Sequence, residues 1–279
     1  MLKIAVTLLC LWYVTKKIDW TLTFSLLQQS NKWWLLGAML LVIASKVVCT
    51  FRLNIYFKNI GIHLPVKPGL QLYWLGMFYN IFLPGGIGGD GYKIIVLKKY
   101  YEAVPTKKIA SAVLLDRVSG VVGIGILGVI FYAITYGGEN YSWWLLAAVL
   151  PGLAVYYWGI KKLFPSFLPG FYPTFFLGLL VQFLQVLCIG CIMQSVNIHG
   201  HFAVFQFLFL LSSLLAVLPF TIGGLGAREV VFLWGATQFS LNANEAVYIS
   251  ILFYLTQLVI SLPGIRWVYK DPMIQMSDV

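Results

Sequence analysis

Two glycine-rich stretches hold most of the side chains in this chain that could do chemistry. Residues 83–93 read LPGGIGGDGYK and residues 218–228 read LPFTIGGLGAR, at a constant offset of 135. Six of the eleven positions are identical, and Lys93 falls in register with Arg228. A general bias toward glycine in membrane helices explains part of this likeness. It does not explain the shared Leu-Pro, the isoleucine or the matched cation. Proline followed by glycines breaks a helix. A second helix starting near Gly89 or Asp90 then exposes free N–H groups and the positive end of its dipole. Gly88, Gly89, Gly223 and Gly224 therefore predict a pair of anion sites, strengthened by Lys93 and Arg228 one turn on. The expected ligand is a phosphate that must enter the membrane region, as a lipid headgroup does. The competing structural reading is that the glycines only permit close helix packing.

Four further ionisable residues fall inside apolar runs: Lys46, Asp116, Arg117 and Glu229. A bilayer penalises each by about 2.5–3.5 kcal/mol or more, which makes them functional suspects. Asp116 and Arg117 are sequence neighbours. They point about 100° apart on a helix and must find other partners. Asp90 is placed to cap its half-helix, and Lys46 either snorkels or faces the interior. Gln182 and Gln185, one turn apart, either line a polar path or join helices. No Walker loop, second Cys pair to accompany Cys188-x-x-Cys191, or loop of clustered aspartates occurs. The expectation is no cofactor, no metal and no enzymatic activity.

The elements that must position these residues follow from composition. Of 279 residues, 60% are apolar and 10% charged. Soluble domains have about 45–50% and 25%. An ordinary soluble domain, a disordered chain and a disulfide scaffold are all excluded. The net charge of +10 lies in short clusters at helix ends, which suits membrane orientation and anionic headgroups rather than nucleic acid. Lys3 with residues 4–14 resembles the start of a signal peptide, but lacks a small-x-small cleavage site, and is read as an uncleaved first helix. Residues 18–27 are expected at the interface. Spans are expected at 33–51, 109–136, 143–159, 174–196 and 247–262. Shorter pieces at 68–83 and 94–101 flank the first glycine cluster, and 202–218 and 229–239 flank the second.

Charge then sets the geometry. Arg52, Lys58 and Lys67 precede the first cluster and Lys93, Lys98, Lys99, Lys107 and Lys108 follow it, so both flanks read as cytoplasmic. The flanks of the second cluster, 197–201 and 240–245, contain no Lys or Arg and read as external. Each cluster is then the tip of a re-entrant pair, and the two pairs enter from opposite faces. The expected fold is all-α and polytopic. It has about six transmembrane helices plus two re-entrant helix pairs in an inverted repeat, within a single transmembrane domain. The halves are 33–136 and 174–268, joined by a helix at 143–159. The protein is expected in the cytoplasmic membrane, with both termini on the cytoplasmic side. Lys161, Lys162, Arg266 and Lys270 agree with that orientation, whereas Lys16, Lys17 and Lys32 do not.

With LLDRVSG at 114–120 and IGGLGARE at 222–229 behind the first glycine motif, the chain resembles the lysylphosphatidylglycerol synthase transmembrane-region family, the flippase-like membrane proteins. The likeness runs from about residue 4 to residue 268. It implies a polytopic inner-membrane protein handling lipids. Lys93, the Asp116–Arg117 pair and the Arg228–Glu229 ending match the family's motif positions. The family's soluble synthase domain has no counterpart here. The resulting expectation is a translocator of an anionic lipid or lipid-linked headgroup, binding it through Gly88, Gly89, Asp90, Lys93, Asp116, Arg117, Gly223, Gly224, Arg228 and Glu229. The alternatives are a non-transporting lipid-binding partner of a separate lipid-modifying enzyme, or an intramembrane transferase using Asp116 or Glu229 as base. The bilayer itself is the other expected partner.

Overall fold

The computed structural model describes residues 20–82, 88–137, 140–217 and 224–270, together with Trp12 and Lys16. The expected first helix, the two glycine-cluster tips at 83–87 and 218–223, and the C-terminal tail lie outside the described residues. What is described is helical. The helices are α1 (Trp20–Gln29), α2 (Lys32–Lys58), α3 (Val66–Phe82), α4 (Gly88–Tyr100), α5 (Thr106–Thr135) and α6 (Asn140–Leu163). They continue with α7 (Phe171–Ser195), α8 (Phe202–Val217), α9 (Ala227–Gln238), α10 (Ala243–Ser261) and α11 (Arg266–Tyr269). Short 3-10 turns at Pro165–Gly170 and Leu262–Ile265 lead into α7 and α11. Continuous helix is what an apolar chain must form in lipid, where no water satisfies a free backbone group.

Five described segments are long and apolar enough to cross a membrane: Lys32–Lys58, Thr106–Thr135, Trp143–Leu163, Pro165–Ser195 and Ala243–Tyr269. These correspond to five of the six expected spans, each somewhat longer than its apolar run. Polar side chains cap the starts of two of these helices. Asn31 accepts the Trp33 N–H at the start of α2, and Asn242 accepts the Asn244 and Glu245 N–H groups at the start of α10.

The longest helix pairing joins α2 and α7, which run antiparallel. At one end the Asn31 N–H donates to the Ser195 carbonyl at 2.7 Å. At the other, Asn59 Nδ2 donates to the Phe167 carbonyl at 3.3 Å. Helix α5 crosses α7 through small residues. A Cβ at Gly178 would lie 2.9 Å from the Ser119 carbonyl oxygen, so the two backbones meet directly. Gly178→Ala is expected to cost about 1–3 kcal/mol by overpacking, read as thermal unfolding of the detergent-solubilised protein. An unchanged melting temperature would mean that α5 and α7 separate freely.

Helices α3 and α4 form one hairpin, with Gly76 packed on Gly89 and the Tyr101 hydroxyl donating to the His63 carbonyl at its base. That base lies at the Asn59–Phe167 end of the bundle. Helices α8 and α9 form a second hairpin, with Leu208 on Gly235. Its base lies at the Asn31–Ser195 end, where 196–201 face 240–245 across a polar pocket. The hairpins thus open at opposite ends.

Exposed basic residues gather at the Asn59–Phe167 end: Lys58, Lys67, Lys107, Lys108, Lys161, Lys162 and Arg266. Helix α6 is peripheral, with Trp143, Trp144, Leu150 and Trp158 all exposed. Apolar exposure of this kind suits lipid rather than water.

Two apolar clusters divide the interior. One gathers Ala38 and Val42 of α2 with Val186–Met193 residues of α7 and much of α8 and α10. The other gathers Leu53, Tyr56 and Phe57 of α2 with Ile109, Leu115, Phe167 and Phe171. Between them, at mid-length of the long helices, lies a polar layer.

Candidate functional site

The polar layer encloses a cavity of about 310 Å³. Helix α2 contributes Lys46 and Arg52, and α4 contributes Asp90 and Lys93. From α5 come Asp116 and Arg117, from α7 Gln182 and Gln185, from α8 Ser213, and from α9 Arg228. Tyr73 and Asn80 of α3 and Phe253, Tyr254 and Gln257 of α10 complete the wall. Residues of both hairpins and all four long central helices therefore meet in one space.

The ion pairs are specific. Asp90 is shared: its Oδ1 accepts from Lys93 Nζ at 3.2 Å, and its Oδ2 accepts from Arg117 Nε. Asp116 Oδ1 accepts from Arg52 Nε at 2.7 Å. Asp116 and Arg117 thus find separate partners, as their angular offset requires. Lys93 Nζ also sits 4.5 Å from the Tyr73 ring centroid, a favourable cation–π placement. Arg228 donates through Nη1 to Ser213 Oγ at 3.1 Å, with its guanidinium 5.1 Å from the Phe253 ring centroid. Two buried atoms on the wall have no hydrogen-bond partner among the described residues: Arg52 Nη1 and Gln182 Oε1. Among the described residues, five cationic side chains face the cavity against two carboxylates, Asp90 and Asp116. So large a positive excess at the centre of an apolar bundle needs anions or water.

Of the ten residues expected at the site, Asp90, Lys93, Asp116, Arg117 and Arg228 line this cavity. The glycines have another task. Gly89 packs on the Gly76 backbone, and Gly224, at φ +84°, turns the chain beside Arg228; neither lines the cavity, nor does Gly88. Gly223 lies outside the described residues. Glu229 is buried behind the wall, where Oε2 accepts the Gly226 N–H at 2.7 Å and Oε1 accepts the Ser250 hydroxyl at 2.9 Å. The Gly89 N–H likewise donates to Asn80 Oδ1 at 2.9 Å. Both half-helix starts are therefore partly capped by the protein's own side chains. The half-helix N–H groups of Gly89 and Gly226 are thus engaged, and the positive charge facing the cavity comes from side chains. Asp90 serves the ion pairs rather than a cap.

Sequence reasoning placed Arg52 at a span's far end. It is instead buried, at 4% exposure, because its guanidinium meets Asp116. Ser45, Cys49 and Arg52 share a buried face at i, i+4 and i+7, a spacing that marks Arg52 as interior. Lys46 faces the cavity rather than snorkelling, and both glutamines line it. Ser213, Tyr73 and Gln257 carried no sequence signal. Among the described residues, no three His, Cys, Asp or Glu side chains gather to hold a metal ion.

A family model described as the lysylphosphatidylglycerol synthase TM region matches residues 1–167 and 167–264. No curated protein matches the chain.

Proposed function

The chain belongs to the lysylphosphatidylglycerol synthase transmembrane-region family, and from that premise we propose that it translocates an anionic lipid or lipid-linked headgroup across the cytoplasmic membrane. One observation carries this reading: a cavity midway along the bundle, lined from both hairpins, with five cations against two carboxylates. A headgroup phosphate meets those cations while its apolar tail stays among the lipid-facing helices.

The sequence repeat and the opposed hairpins support an inverted repeat, α2–α5 against α7–α10, with each hairpin re-entrant. In such a frame, rocking of one half against the other opens a central site to each face in turn. The basic end of the bundle is read as cytoplasmic. Arg52 and Lys93 drop out of that count because they are buried, and the remaining lysines still agree. Both termini then lie inside. Lys32, at the opposite end, stays against the rule. The protein itself is read as performing no catalysis.

The test is lipid movement by the purified protein in proteoliposomes containing fluorescent anionic phospholipids. Arg228→Gln is expected to lower the rate about ten- to hundredfold, as loss of one charge-assisted contact of about 1.5–3 kcal/mol implies. Folding should be largely spared, because among the described residues Arg228 has no carboxylate in ion-pair contact and its loss frees the Ser213 hydroxyl. Lys93→Gln should act similarly, since Asp90 keeps Arg117. Normal transport by both variants would overturn the site. Binding without movement would favour a lipid-holding partner of a separate enzyme.

A further inference from the structure

The charge balance of the cavity narrows the headgroup. Asp90 is already shared by Lys93 and Arg117, and Asp116 is engaged by Arg52. Among the described residues, Lys46 and Arg228 have no carboxylate in ion-pair contact, and buried Arg52 keeps Nη1 without an acceptor. Lys46, Arg52 and Arg228 all line this one cavity, so the three open donors belong to one region. The wall carries an excess of three positive charges. The neighbouring buried Glu229 offsets one of them.

We propose that the site takes a headgroup ending in a phosphomonoester, in preference to the phosphodiester of ordinary phospholipids. The inference rests on the reading that this cavity receives a lipid headgroup. A terminal phosphomonoester carries about −1.5 to −2 charge near pH 7 and presents three acceptor oxygens. That closes the balance of charge and matches the three open donors. A diester carries one negative charge and two non-bridging oxygens, so it leaves one cation uncompensated in a low-dielectric interior, where such charges are costly. The volume of about 310 Å³ lies at the small end of ligand sites and suits a compact headgroup rather than an entire lipid.

The experiment measures equilibrium binding to the full-length protein in detergent micelles at about pH 8, where the second phosphate proton (pKa about 6) has left. Three probes are compared: dioleoyl phosphatidic acid, dioleoyl phosphatidylglycerol and glycerol 3-phosphate. Phosphatidic acid is expected to bind about tenfold or more tightly than phosphatidylglycerol, the ratio that one additional charge-assisted hydrogen bond supplies. Lys46→Gln and Arg228→Gln should each weaken phosphatidic acid more than phosphatidylglycerol, bringing the ratio toward unity. The comparison on the unmodified protein stands even if a variant fails to fold. Equal or tighter binding of phosphatidylglycerol overturns the phosphomonoester preference and leaves the broader transport reading intact. Binding of neither lipid overturns both. Glycerol 3-phosphate binding as tightly as phosphatidic acid would make the source of the phosphate a soluble ester, and overturn the lipid assignment.

Discussion

Asp90→Asn is expected to destabilise the protein by about 3 kcal/mol, the lower part of the range for breaking a buried ion pair by removing one partner. Asp90 is the only carboxylate among the described residues that meets two cations, Lys93 and Arg117. An amide of the same shape keeps the packing and leaves both positive charges without that counter-charge. The lower part of the range applies because the Arg117 side chain is 28% exposed, so cavity water shares in solvating it. Thermal unfolding in detergent at fixed lipid content measures the loss. The double variant Asp90→Asn with Lys93→Gln should recover part of it, because one of the stranded charges is removed. A purely steric origin would give no recovery. A single-variant loss under about 1 kcal/mol would mean that water already screens the cluster.

Gly89→Ala is expected to cost more than about 3 kcal/mol, beyond the usual range for overpacking a core. A methyl group there would overlap the carbonyl oxygen of Gly76. That obstacle is backbone, so no side chain can rotate away. The helices α3 and α4 would have to part, and the Gly89 N–H would lose Asn80. Lys93, one turn along the same helix, would move with it. The variant should therefore lose both thermal stability and ligand affinity, unlike Arg228→Gln, which should lose affinity alone. Gly91→Ala supplies the contrast. A Cβ there meets nothing within 4 Å, and alanine favours a helix interior over glycine by up to about 1 kcal/mol. If Gly89→Ala melts like Gly91→Ala, the α3–α4 backbone contact does not hold the hairpin.

The sequence motif marks the two half-helices that bring Lys93 and Arg228 to one cavity, for reasons that only partly hold. The matched LPxxIGGxG segments identified two helix breaks, and helix breaks inside apolar chain are rare enough to mark a site. The motif suggested that the exposed N–H groups would themselves bind the anion. The folded protein uses Asn80 and Glu229 on those groups, because a capping side chain from the same hairpin is always at hand. The glycines then serve close packing at Gly89 and a positive-φ turn at Gly224, which is the packing reading set beside the anion reading.

What the sequence determined by itself was the class of protein, the position of nearly every described helix, and most of the ionisable residues inside the bundle, Arg52 excepted, since hydropathy and helix breaks are local properties of the chain. The family likeness was legible for the same reason, in short ordered motifs. Tertiary structure alone decided the pairing. Asp90 with Lys93 and Arg117, Asp116 with Arg52, and Arg228 with Ser213 depend on which helix faces which, and all but the Asp90–Lys93 pair join different helices. It also decided the inward placement of Arg52 and Lys46. A basic residue toward the end of an apolar run reads as an interfacial anchor from sequence, whereas a carboxylate on a neighbouring helix turns it into the interior. The charge excess of the cavity is a property of that assembly: it exists only where four helices bring their few charged side chains together.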